Sequence, residues 1–254
     1  MNKVKLVFTT LILVMITASS FGASVILNEY NGVRDDNYLK NNGSDVFWGT
    51  ILGNGGDWFE LVVIEDHLNM AGWIIDVFDN GALSASLQLT TDPIWSDLRS
   101  GTIITVSENL ADDISYNPCA DDWWINVCAK NNGTGTYISA SDFSTSNSNT
   151  QIIIKDSLSN IVFGPAGEGI NPASGIGSDE VFKLEEDPSA SITPWSNYMD
   201  GTSSTFGAPN VWAQGAYMQD FSALRAGVCI PEPATLSLFA FGGFFAMLMM
   251  RKRG

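Results

Sequence analysis

An all-β domain, closed as a sandwich or a barrel, is what the sequence predicts between its two ends. Three observations lead there. Short runs of β-branched and aromatic residues alternate with polar ones. Loops dense in Gly, Asn, Asp and Ser separate those runs, and no stretch of the body sustains a helical period. Many short strands joined by such turns stack as two layers or close on themselves.

The chain has 254 residues. Residues 1–23 read as a secretory signal peptide, with Lys3 and Lys5 as the positive region and Leu6 to Ile16 as the apolar core. The small-residue exit from Thr17 to Ser24 suits cleavage after Gly22 or after Ser24. No cysteine follows the apolar core, so a lipoprotein signal is excluded and plain export is expected.

The body then unfolds as strands. Ser24 to Tyr30 opens the first, and a polar loop from Asn31 to Gly56 follows, interrupted by Val46-Phe47-Trp48. Asp57 to Ile64 alternates as a half-buried strand, and Glu65 to Asn69 turns the chain. Gly72 to Phe78 is the next strand, ended by the turn residues Asp79-Asn80-Gly81. Further strands are expected at Ala85–Leu89, Thr102–Val106, Thr150–Lys155, Asn160–Phe163 and Glu180–Leu184, with a low-complexity loop from Ser139 to Asn149. The β domain is assigned to residues 24–210 and a linker or stem to 211–228.

Charge narrows the function. Outside the two ends the body holds seven of the twelve Lys and Arg and 27 of the 28 Asp and Glu, a net charge of −20. Such a surface repels nucleic acid and anionic membranes, so no nucleic-acid partner is expected. Cys119 and Cys128 bracket a short loop that a disulfide could staple in an oxidising compartment; two unpaired thiols are the other reading. Cys229 is the odd cysteine.

The last stretch, 229–254, has three parts. Pro231-Glu232-Pro233-Ala234-Thr235 holds the chain extended, Leu236 to Met250 is uncharged and apolar, and Arg251-Lys252-Arg253 closes it. The apolar run is a little short for a hydrocarbon layer of about 30 Å, and the terminal bases can snorkel to close the gap. Positive charge stays on the cytoplasmic side, which leaves the body outside. This arrangement resembles the PEP-CTERM sorting signal of Gram-negative bacteria. The resemblance implies a transient single-span helix in the inner membrane, cleavage near Pro231, Glu232 and Pro233 by an exosortase, and transfer to the cell surface or an exopolysaccharide matrix. The alternative is a plain membrane anchor with a proline-bearing stem.

The body carries a second resemblance. Ile26-Leu27-Asn28-Glu29, Asp57-Trp58-Phe59-Glu60-Leu61 and Leu68 to Asp76, with Gly72-Trp73-Ile74-Ile75 inside it, are similar to the lamin-tail domain. Ser100 to Ile104, Ile152 to Asp156 and Gly207-Ala208-Pro209-Asn210 fall where that family would place them, although Phe206 stands where a proline is usual. The resemblance implies an immunoglobulin-like β-sandwich with long loops. In it Trp58 and Trp73 would be inward anchors, and Gly72 would supply a close approach or a positive φ. Glu29 and Glu60 would cap loop amides or bind a cation.

Little else points to chemistry. His67 is the only histidine and sits in a turn, and no pair of acids stands out by spacing. Gly164 to Gly169 lacks the helix and lysine of a phosphate loop. Calcium at Asp35-Asp36, Asp112-Asp113 or Asp121-Asp122 is the one ion that suits this acidity, although none matches a helix-loop-helix site. Trp123-Trp124 reads either as a platform for stacking sugars or as a loop folded over the core. The expectation is a non-enzymatic exported adhesion or structural module associated with exopolysaccharide, without cofactor. The alternative is a carbohydrate-binding or carbohydrate-acting protein using Trp123 and Trp124.

Overall fold

The computed structural model describes residues 22–130, 133–139 and 141–227. The expected signal peptide up to residue 21 lies outside the described residues, as do Pro231, Glu232, Pro233, Arg251, Lys252 and Arg253 of the expected sorting signal. No helix among the described residues is long and apolar enough to cross a membrane.

Strands carry the fold: β1 (Val25–Asn31), β2 (Trp58–Val63), β3 (Ile74–Asp79), β4 (Ala82–Gln88), β5 (Ile103–Ser107), β6 (Trp124–Cys128), β7 (Gln151–Lys155), β8 (Ile161–Gly167), β9 (Val181–Leu184) and β10 (Tyr198–Gly201). A short hairpin, β11 (Val211–Trp212) and β12 (Tyr217–Met218), and one helical turn, α1 (Ser222–Arg225), complete it. The chain is all-β. A six-stranded sheet runs β10-β9-β1-β2-β5-β6 and a four-stranded sheet runs β4-β3-β7-β8. Each expected strand is present within a few residues.

Alternation along the strands builds one core shared by both sheets. Phe59 and Leu61 of β2, Ile104 and Val106 of β5, Ile75 and Val77 of β3, and Ile152 and Ile154 of β7 belong to the same buried cluster. Trp73 joins it, as expected of an inward anchor. Tyr30, Phe182 and Tyr198 stack face to face across β1, β9 and β10, with centroids 4.6 and 4.8 Å apart. The Tyr198 hydroxyl donates to the Leu27 carbonyl at 2.6 Å, which satisfies its buried polar tip.

Trp58 departs from expectation. It is fully buried, yet the pleat that sends Phe59 and Leu61 into the shared core sends Trp58 and Glu60 to the other face. That face is covered as well. A bulge between Leu27 and Glu29 puts two successive polar residues, Asn28 and Glu29, on it beside Glu60. Residues 203–221 lie across it, with Phe221 reaching the core cluster. Segment 211–227, expected as a stem, is therefore part of the domain: Gln219 is buried and donates to Asn28 Oδ1 at 2.9 Å. Alternation alone could not reveal a second cover made from a sequence-distant segment.

The cysteines also depart from expectation. Cys128 is a free thiol, and Cys119 is disulfide-bonded, so Cys119 and Cys128 do not pair with each other. Residues 124–128, expected inside a stapled loop, form β6, hydrogen-bonded in parallel to β5. Extension at about 3.3 Å per residue carries Cys128 away from the turn Pro118–Ala120 that holds Cys119, whereas a disulfide needs Cα atoms within about 7 Å.

Candidate functional site

The most built polar assembly lies between the six-stranded sheet and its C-terminal cover. Glu29 and Glu60 are register partners on β1 and β2, both fully buried. Glu29 accepts from the Thr205 amide at 3.2 Å and the Thr205 hydroxyl at 2.6 Å. Glu60 accepts from Asn28 Nδ2 at 2.6 Å and the Gly207 amide at 2.9 Å. Asp45 accepts from the amides of Phe47, Trp48 and Phe206 and from the Ser204 hydroxyl. Lys183 donates to the carbonyls of Ser203 and Val211 at 2.9 and 2.6 Å. Both glutamates bond loop amides, the first of the two roles expected for them.

Burial governs the titration here. It pushes Glu29 up to about 7, with the Lys183 charge opposing. It raises Glu60 well above the usual carboxylate range, and the neighbouring Glu29 adds to that. The same desolvation lowers Lys183. With their oxygens engaged by Thr205, Asn28 and Gly207, these carboxylates act as a hydrogen-bonded latch.

Aromatic rings seal the latch. Phe206 is buried and its centroid lies 5.1 Å from Trp58, 5.4 Å from Trp48, 5.5 Å from Phe47 and 5.8 Å from Trp124. Gly207 takes φ +74, and a Cβ there would fall 2.7 Å from the Trp124 ring, so only glycine lets the chain pass. Trp124 is half-buried in this cluster and donates to Thr105 Oγ1 at 2.9 Å. Trp123 is half-buried too, with the Arg225 guanidinium 4.7 Å above its ring. Of the two readings of Trp123-Trp124, the folded-over loop fits this geometry and the open stacking platform does not: one ring faces the aromatic cluster and the other is covered by Arg225.

Exposed aromatic surface lies elsewhere. Trp212 stacks on Tyr217 across the β11–β12 hairpin at 5.8 Å, and Tyr217 is 61% exposed. Trp195 is 71% exposed.

An acidic cleft of about 340 Å³ opens beside the first loop, lined by Arg34, Asp35, Asp36, Asp57 and Thr145. A second, of about 450 Å³, shares Asp35 and adds Trp48, Glu108 and Lys130. Burial and the Glu108 charge push Asp57 up to about 7, and burial raises Glu108. Among the described residues no group of three or more His, Cys, Asp or Glu side chains is arranged to hold a metal ion. Members of two of the acidic pairs accept hydrogen bonds from the chain. Asp112 accepts from the Cys128 amide, Asp113 from the Ser115 amide, and Asp121 from Trp123 Nε1. His67 is exposed, in left-handed conformation, and its Nδ1 lies 2.7 Å from Asp97 Oδ1.

Neither a protein-family model nor a curated protein matches the chain.

Proposed function

We infer that this chain is an exported, non-enzymatic surface or matrix module. On this reading an immunoglobulin-like, lamin-tail-like sandwich is delivered by a PEP-CTERM tail and works in contact with exopolysaccharide. The observation that carries it is the order Pro231-Glu232-Pro233, apolar span, Arg251-Lys252-Arg253. The domain supports the reading in two ways. Its two most prominent carboxylates, Glu29 and Glu60, are committed to holding the C-terminal segment. That segment is folded back onto the domain as far as Arg225, which donates to the Gly101 carbonyl.

Mass spectrometry of both ends of the protein from native cells tests this. A surface pool ending near Pro231 to Pro233 with added mass is expected; intact residues beyond Pro233 in that pool would count against processing. Deleting Leu236 to Met250 should change the destination of the body, and an unchanged destination rejects the sorting role.

A carbohydrate-binding reading is favoured by one observation, the exposed Trp212–Tyr217 stack. Binding of the purified body to isolated exopolysaccharide, lost in Tyr217→Ala with the fold intact, supports it. Binding that survives Tyr217→Ala and Trp195→Ala removes the aromatic surface from consideration.

A further inference from the structure

We propose that the loop joining β1 to β2 is a docking site for an extended segment of a second protein in which an arginine is flanked by aliphatic residues. The guanidinium enters the cleft lined by Asp35 and Glu108, and its aliphatic neighbours lie on Ile51 and Leu52.

The loop is turned inside out. Asp45, Gly53, Asn54 and Gly55 are buried, while Val46, Phe47, Ile51 and Leu52 are exposed. A loop that only connected two strands would keep its polar residues in water and its apolar ones against the core. Here a hydrogen-bonded frame holds the opposite arrangement. Asp45 accepts from the amides of Phe47 and Trp48 at 2.7 and 2.8 Å. Asn31 Nδ2 donates to the Gly53 and Gly56 carbonyls at 2.9 and 2.8 Å, and Trp58 Nε1 to the Asn54 carbonyl at 2.9 Å. The apolar side chains are therefore presented by a fixed backbone, and a partner that covers them costs the loop little further freedom.

Charge identifies the partner. The cleft of about 450 Å³ is lined by Trp48, Ile51 and Leu52 together with Asp35 and Glu108. Through Asp35 it adjoins the cleft of about 340 Å³ that holds Asp57. Among the described residues no base lies within ion-pairing distance of Asp35, Asp57 or Glu108. The two bases that line the clefts are engaged elsewhere: Arg34 Nε pairs with Asp36 at 3.4 Å, and Lys130 Nζ reaches Asn109 Oδ1 at 3.5 Å. The carboxylates act on one another instead. Beyond burial, the charges of Glu108 and Asp35 raise Asp57, and those of Asp142 and Asp35 raise Glu108, with Lys130 opposing.

A cation brought by a partner relieves that repulsion. Guanidinium suits the place because it is weakly hydrated, lies flat on aromatic walls and can bond two carboxylates in one plane. The exposed aliphatic rim calls for carbon on either side of it, which a peptide supplies and a free ion does not. The proposal is independent of how the tail is processed.

The probe is the blocked peptide Ser-Leu-Arg-Leu-Ser, labelled for fluorescence anisotropy and titrated with the full chain at about 0.15 M salt. Saturable binding is expected, weakened about tenfold when glutamine replaces the arginine or glycines replace the leucines. Glu108→Gln and Leu52→Ser should each weaken it about as much, at an unchanged urea midpoint, since one keeps its shape and the other is exposed. Asp97→Asn removes the same charge from the loop between β4 and β5, where Asp97 pairs with His67, and should leave affinity as it was. Affinity should rise about tenfold from about pH 6 to 8, because a bound cation favours the charged form of Asp57. Equal weakening by Asp97→Asn and Glu108→Gln would reduce the binding to diffuse attraction by an acidic chain and overturn the proposal. Binding that tolerates Leu52→Ser, or for which free arginine amide competes as well as the peptide, makes this a small-cation site and overturns it too. A chain that dimerises and is released by the peptide would make a second copy the occupant, with the same consequence. No saturable binding rejects the site outright.

Discussion

Glu29 shows how one residue can set the pH response of the whole domain. The folded protein keeps its proton up to about 7, whereas an unfolded chain releases it near 4.5. Between those values the folded state binds more protons. Stability from this group is therefore fully present below 4.5 and is lost as pH rises through 7. Asp57, pushed to about 7 from 3.8, acts in the same direction. Urea denaturation from pH 4.5 to 8 should show stability falling with pH. In Glu29→Gln that slope should flatten, by an amount on the order of 3 kcal/mol across the window. An unchanged slope would mean that Glu29 does not titrate there. Phe206 sets the second test. It fills the centre of a five-ring cluster, so Phe206→Ala should cost about 3–5 kcal/mol, read as a shift of the urea midpoint at constant slope.

At the level of elements, the C-terminal segment acts as a third layer. Gln219, just after β12, accepts from the Asn210 amide across the base of its own hairpin and donates to the Leu184 and Glu186 carbonyls at the end of β9. Gln219→Ala should cost about 1–3 kcal/mol, because buried groups on Asn28 and Asn210 lose their partner. Ending the chain after Asn210 should cost more and raise binding of a hydrophobic dye, since Phe221 leaves the core.

The eight strands expected from alternation were legible because each has one face in the shared core. Gly72 was legible too: it takes φ +77 and a Cβ there would meet nothing closer than Ser157 at 3.5 Å, so its requirement is conformational. β6 was hidden because the flanking cysteines suggested a stapled loop, although Ile125 and Val127 share its inward face; Asn126, between them, is buried on the opposite face. That asparagine is satisfied by Leu110, Ala111, Thr105 and Ser107, contacts that no local pattern announces. β10 is four residues long with little apolar alternation. At the candidate site, Glu29 and Glu60 could be singled out in advance. Their true partners, Thr205 and Gly207, lie well over a hundred residues away.

The central position of β1 has a consequence for how such a chain travels. β1 lies between β2 and β9, and Glu29 is met by Thr205 only 176 residues later. If the chain is exported as proposed above and threaded amino end first through a translocation channel, β2 would emerge soon after this opening strand, but β9 and Thr205 would follow only near the finish, leaving one edge and one face open for most of the passage. Contacts so distant in sequence form slowly. Connectivity alone would keep the polypeptide pliable during transit and delay locking until the last segment before the tail had cleared the pore.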